Sequence, residues 1–152
     1  MKTTVRVREI SFTVTVHATE DKEKVTKALL ELIPEELRKR VSITETTYKG
    51  YYGNPIILLS TAIKGRYVID VLKYITRKMD DISKKILNAT LDLRIDPAHR
   101  LHLRFNKQDA YRGKLTLYDG DDIIKVVISF KFKEGLEELR KYLKSIGLLP
   151  NA

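Results

Sequence analysis

The chain has 152 residues, with 29 Lys or Arg against 20 Asp or Glu, for a formal net charge of +9. It contains no cysteine, which excludes disulfides, iron–sulfur clusters and thiolate zinc sites. No apolar run approaches about 18 residues, so no membrane-spanning helix is expected. The length suits one domain, residues 1–152, with an ordered core over about 4–147. The excess positive charge favours a polyanionic partner: RNA, DNA or anionic lipid. Met1 to Glu9 is charged and carries no apolar leader, so a cytoplasmic location is expected. Abundant Lys, Glu and Ile without Cys or Trp is a thermophile-like composition.

Thr4 to Ala18 reads as a long strand. Val5 and Val7 are in one phase, and Ile10, Phe12, Val14 and Val16 in the other, so a bulge is expected near Glu9. Thr19 reads as a helix N-cap, with Glu20 and Asp21 in the first turn. Val25, Ala28, Leu29 and Leu32 follow at helical spacing, and Pro34 opens a short second helix to Arg40. Strands are predicted over Val41 to Tyr48 and Ile56 to Ile63, around a glycine- and tyrosine-rich loop. Tyr67 to Leu87 reads as a helix that breaks near Asp80.

Leu91 to Ile95 and Arg100 to Phe105 alternate with period two and are predicted to form a hairpin, with Arg94 on its open face. Leu115 to Tyr118 and Ile123 to Phe132 read as a second hairpin, and Lys133 to Ser145 as a last helix stopped at Gly147. Some seven strands joined largely by hairpins predict an α+β fold. Its architecture is a two-layer sandwich: a mainly antiparallel sheet with helices on one face.

The open face of that sheet carries the functional argument. In Arg100–Gln108, Leu101, Leu103 and Phe105 point to one side, and Arg100, His102 and Arg104 to the other. Unpaired charge is too costly to bury, so the second side is solvated and basic. From Arg94 to Lys114 there are six Lys or Arg against two Asp. Guanidinium forks match phosphate oxygens, and aromatic rings stack on bases. Arg100, Arg104, Lys107 and Lys114 are therefore predicted to hold phosphates; His102, Gln108 and Tyr111 would contact sugars or bases. Arg94 and Arg112 complete the basic span. Tyr48, Tyr51 and Tyr52 form a second candidate stacking platform, with Asn54 in the same loop as a further RNA contact, although the tyrosines equally suit a lid on the core. Arg104 and Lys107, as surface cations, should be removable together without loss of stability. The competing use of the face is a dimer or assembly interface without RNA contact.

No catalytic or metal constellation is legible. His17 lies near Glu20 and Asp21, but those carboxylates suit a first helical turn. His99 and His102 fall on different faces of a hairpin. Asp119, Asp121 and Asp122 resemble a calcium loop that lacks its bidentate glutamate. Neither phosphate-loop nor nucleophile-elbow spacing occurs. The expectation is a non-enzymatic protein with no cofactor and no metal.

Three stretches in order carry a resemblance: His17-Ala18-Thr19-Glu20-Asp21 with Lys24-Val25; Gly50-Tyr51-Tyr52-Gly53-Asn54-Pro55-Ile56; and Leu103-Arg104-Phe105-Asn106-Lys107-Gln108 with Ala110-Tyr111 and Gly113. Over residues 5–132 the chain resembles an archaeal family of small RNA-binding proteins described as predicted exosome-associated subunits. The resemblance implies a fold similar to the large-subunit ribosomal protein that binds 5S rRNA. It also implies RNA as the polyanion, a homodimer, and an exosome or ribosome-related complex as setting. The chain departs from the family pattern at Tyr51, where a histidine is expected, and at Asn106, where an aspartate is expected. Both departures remove an ionisable group.

Overall fold

The described residues form five strands, β1 (Arg6–Val16), β2 (Thr44–Lys49), β3 (Pro55–Lys64), β4 (Arg100–Asn106) and β5 (Ile123–Lys131), with period-two apolar alternation in β1, β4 and β5 and an edge strand β2 that is exposed throughout. The structure, a computed structural model, describes residues 4–50 and 52–151, so the predicted contact Tyr51 lies outside the described residues. The strands form one sheet in the order β2-β3-β1-β5-β4, antiparallel throughout. Five helices accompany it: α1 (Lys22–Leu30), α2 (Val68–Lys78), α3 (Asp81–Arg94), α4 (Lys107–Tyr111) and α5 (Leu136–Ser145). A 3-10 turn at Glu35–Arg40 follows Pro34. The α+β architecture agrees with the sequence reading.

One alternating set of strand side chains is buried: Ile10, Phe12 and Val14 on β1, Leu101, Leu103 and Phe105 on β4, and Ile124, Val126 and Ile128 on β5. These join the helices' apolar stripes, including Val71 and Ile75 of α2, Leu87 and Leu91 of α3, and Leu139 and Leu143 of α5, in a single core. Among the described residues the opposite face of the sheet has no such layer. The phase slip in β1 is real: its register with β5 shifts between Val7 and Glu9, which leaves Arg8 as the extra residue.

Several sequence expectations are corrected. The predicted hairpin at Leu91 is helix: α3 runs on to Arg94, and only Ile95 bridges Leu101. The alternation of Leu91, Leu93 and Ile95 misled, because Leu93 is 86% exposed and Leu87 and Leu91 carry the packing at helical spacing. Leu115 to Tyr118 does not pair with β5. It lies along the outer edge of β4, where Leu117 bridges Phe105. Thr19 is not the cap of α1; Asp21 is, accepting from the Glu23 amide at 3.0 Å. The long predicted helix does break, at an extended Met79, and Asp80 restarts it by capping the Ser83 amide at 3.2 Å.

Candidate nucleic-acid interface

The antiparallel order brings the three sequence stretches to one end of the sheet. That end holds the carboxyl termini of β1, β2 and β4 and the start of β3. The loop His17–Asp21 leaves β1 there, the loop from Gly50 to Asn54 joins β2 to β3, and α4 follows β4 without a break.

The β4–α4 corner is fixed by its own polar groups. Asn106 ends the strand and caps α4, its Oδ1 accepting from the Asp109 amide at 2.9 Å. An aspartate is therefore not needed here for the turn to form. Asp109 in turn accepts from the Thr116 hydroxyl at 2.6 Å, and Gly113, at φ +85°, closes the helix.

Lys107 departs furthest from expectation. It is only 3% exposed, and its ammonium points inward rather than to solvent. Nζ donates to the Thr15 carbonyl at 2.8 Å and lies 3.1 and 3.2 Å from the two Glu20 oxygens and 3.0 Å from Asp122 Oδ1. Glu20 Oε1 also accepts from the His17 amide at 3.0 Å. Gln108 donates to Asp122 Oδ2 at 3.0 Å. Burial pushes the Asp122 carboxyl up, but the Gln108 and Lys107 hydrogen bonds and the nearby Lys107 and His17 charges outweigh it. Its pKa is held below the ordinary value. One ammonium thus ties β1, the His17–Asp21 loop, α4 and the β5 approach together. Lys107 is buried and engaged as a structural cation, which departs from the solvent-facing position expected of it.

On the strand face one carboxylate serves two of the basic groups. Asp96 Oδ2 receives Arg100 Nε at 2.9 Å and lies 2.8 Å from His102 Nε2. The His102 hydrogen bond, helped by those from Arg100 against some desolvation, holds Asp96 well below the usual carboxylate range. Arg94 is not on this face. It lies in the last turn of α3, with Nε on the Thr90 hydroxyl at 2.8 Å and a terminal nitrogen 3.8 Å from Asp119. Arg104 donates to the Gly120 carbonyl at 2.7 Å and keeps its charge. Gly120 packs so closely under the Tyr118 ring that a Cβ there would clash with it. Across the strands Arg104 stands directly opposite Lys125 in the row Thr44–Ser60–Thr13–Lys125–Arg104. Two like charges opposite each other are unfavourable. Neither has an ion-pair partner among the described residues.

Beyond the corner, Arg112 and Lys114 are exposed and likewise unpaired among the described residues. Lys24 of α1 joins Arg112, Gln108 and Tyr111 around a cleft of about 340 Å³. Lys27 lies 4.4 Å from the Tyr111 ring centroid and donates to the Tyr111 carbonyl at 2.9 Å. On the other side of the His17–Asp21 loop, Tyr52 and Asn54 line a second cleft with His17 and Thr19. Tyr52 is 86% exposed at the loop tip, so it is not a lid on the core. Lys24 and Lys125 were missed by the sequence reading. Lys24 stands inside the first of the three stretches, and Lys125 is legible only once β5 is known to pair with β4.

A two-layer α+β fold with unpaired cations and a tyrosine at one sheet end is the class of molecule these features define. Comparison with known proteins narrows it. A family model described as RNA binding matches residues 9–130, and the chain belongs to that RNA-binding family. It is 36% identical to a protein named RNA-binding protein in Pyrococcus abyssi, over 76% of this chain and 77% of that protein. It is 35% identical to an uncharacterised protein of Methanocaldococcus jannaschii, over 82% of this chain and 85% of that one. A crystal structure of an Archaeoglobus fulgidus protein superposes with a TM-score of 0.76 at 28% identity, covering 93% of this chain and 99% of that one. A Methanothermobacter thermautotrophicus structure gives 0.74 at 27%, covering 92% and 97%.

Proposed function

We propose that this chain is a non-enzymatic RNA-binding protein that grips RNA at the carboxyl end of its sheet. The observation that carries the reading is the set of cations left without carboxylates around α4: Lys24, Arg112 and Lys114, extended onto the sheet by Arg104 and Lys125. Unpaired, exposed cations are the ones that exchange counterions for phosphates. Tyr111, Gln108 and the Tyr52–Asn54 loop supply stacking and hydrogen-bonding groups at the same end. Arg100 and His102 are committed to Asp96, so they contribute less than their position on β4 implies.

The non-enzymatic part rests on what the carboxylates do. Glu20 and Asp122 are spent on Lys107, and Asp96 on Arg100 and His102. Work within RNA processing, degradation or ribosome-related machinery, and the fold's kinship with the 5S-rRNA-binding ribosomal protein, belong to this proposal through the resemblance. The test is binding of RNA against salt. With about four to six phosphates contacted, the log–log slope should lie near −3 to −5. A salt-independent affinity, or metal-dependent cleavage of the RNA by pure protein, overturns the reading.

One observation favours an assembly role as a second reading. Ile82, Ile86 and Leu93 form an exposed apolar stripe on α3, at 68, 41 and 86% exposure. Lys85 and Asp92 flank it on one side, and antiparallel pairing with a second copy sets each opposite the other. The dimer surface would then be α3 rather than the open sheet face, which leaves the RNA end free. Sedimentation of Leu93→Glu tests it: a wild-type dimer that becomes a monomer supports it, and a wild-type monomer ends it.

A further inference from the structure

We propose that the cleft between α1 and α4 takes one unpaired nucleotide of the RNA, its base against Tyr111 and its phosphates on Lys24 and Arg112. This rests on the RNA-binding reading and adds to it the kind of RNA: a loop, bulge or single strand rather than an uninterrupted duplex. The cleft's volume, about 340 Å³, is at the small end of ligand sites, room for a nucleotide and not for a helix. Its floor is apolar, made by the buried Val25 and Ala28 of α1. The Tyr111 ring forms a wall and is already held by Lys27, whose ammonium sits 4.4 Å from the ring centroid. A ring fixed before binding loses little freedom when a base stacks on it.

The opening carries two carboxylates that are already engaged within the protein and two cations that are not. Glu20 shares the Lys107 ammonium, 3.1 Å away within the wall, with Asp122. Asp21 has one oxygen on the Glu23 amide of α1. Lys24 and Arg112 have no ion-pair partner among the described residues and remain for phosphate. The Gln108 amide is oriented by its 3.0 Å bond to Asp122, which leaves its carbonyl oxygen as an acceptor for a base edge. An apolar floor, an immobilised ring, a fixed amide and two free cations together suit a base with an attached phosphate.

The experiment compares two fluorescent RNAs, a hairpin with an unpaired loop carrying 2-aminopurine and a blunt duplex of the same stem. They are titrated with the full chain and with Tyr111→Leu, Lys24→Ala and Arg112→Ala. The wild type should bind the hairpin more tightly and quench the 2-aminopurine. Tyr111→Leu should weaken hairpin binding roughly tenfold, abolish the quenching and leave duplex affinity unchanged. Lys24→Ala and Arg112→Ala are exposed positions that fold regardless, and each should weaken hairpin binding several-fold. If the wild type binds the hairpin and all three variants match it, the cleft assignment is wrong while the RNA-binding reading stands. If a free nucleoside monophosphate competes as well as the hairpin, the cleft serves a small ligand and the proposal fails. If the wild type binds neither RNA, the broader reading falls first.

Discussion

The outward face of β4 and the corner at α4 are adjacent in sequence and equally rich in cations, yet their charges do different things. On β4, a single carboxylate, Asp96, takes up both Arg100 and His102. At the corner, Lys107 is consumed inside, while Arg112 and Lys114 stand free with Lys24 beside them. A count of basic residues treats the two regions alike. Attraction for phosphate depends on what is left after the protein has paired its own charges. By that measure the cations left without an ion-pair partner among the described residues are Lys24, Arg112 and Lys114 at the corner and Arg104 and Lys125 on the sheet face, while Arg100 and His102 share one carboxylate.

The largest effect that sharpens this contrast is on stability. Lys107→Met leaves Glu20 and Asp122 without their cation; the ammonium is buried but Asp122 is 45% exposed, so the loss should cost about 1–3 kcal/mol. Thermal denaturation should show a Tm lower by on the order of 5 °C. This reverses the expectation from sequence that Arg104 and Lys107 can be removed together harmlessly. A variant that melts like the wild type would show that the ammonium is not a structural tie. Next in size, Asp96→Asn should release Arg100 and His102 and tighten RNA binding by roughly twofold to fivefold at low salt. If affinity falls instead, Asp96 serves the site rather than masking it.

A smaller effect concerns pH. Asp96 and Asp122 both titrate below their ordinary value of 3.8 in the folded protein. A depressed folded-state pKa adds stability that is fully present above the unfolded value and lost as pH falls through the folded one. The urea midpoint should therefore hold steady from pH 7 to about 5 and decline below about 4. The Asp96→Asn variant should decline less steeply. Smallest of all, Leu93→Glu should change monomer stability by less than about 0.5 kcal/mol, since the side chain touches solvent.

How much of this was legible in the sequence depends on how far apart the interacting residues are. The inside–outside pattern of Leu101, Leu103 and Phe105 against Arg100, His102 and Arg104 needed only local alternation. The break at Met79–Asp80 and the bulge at Arg8 were also local signals. The helical state of Leu91 to Arg94 was not, because an exposed Leu93 mimicked a strand period and the deciding contacts are those of Leu87 and Leu91 with the core. The fate of Lys107 was illegible for the same reason. Its partners, Thr15, Glu20 and Asp122, are distant in the chain, and nothing around Lys107 announces them. The corner cations Arg112 and Lys114 were named because they follow the basic strand; Lys24 needed the α1–α4 packing to join them.

The most direct measurement is a parallel RNA titration, at two salt concentrations, of Lys24→Ala/Arg112→Ala/Lys114→Ala and of Arg100→Ala. The triple variant should lose affinity on the order of a hundredfold at low salt and flatten the salt slope by about 2–3. Arg100→Ala should stay close to wild type. A triple variant that binds normally, or an Arg100→Ala loss of the same size, would contradict the claim that the free cations at the corner, and not the paired ones on the strand, hold the RNA.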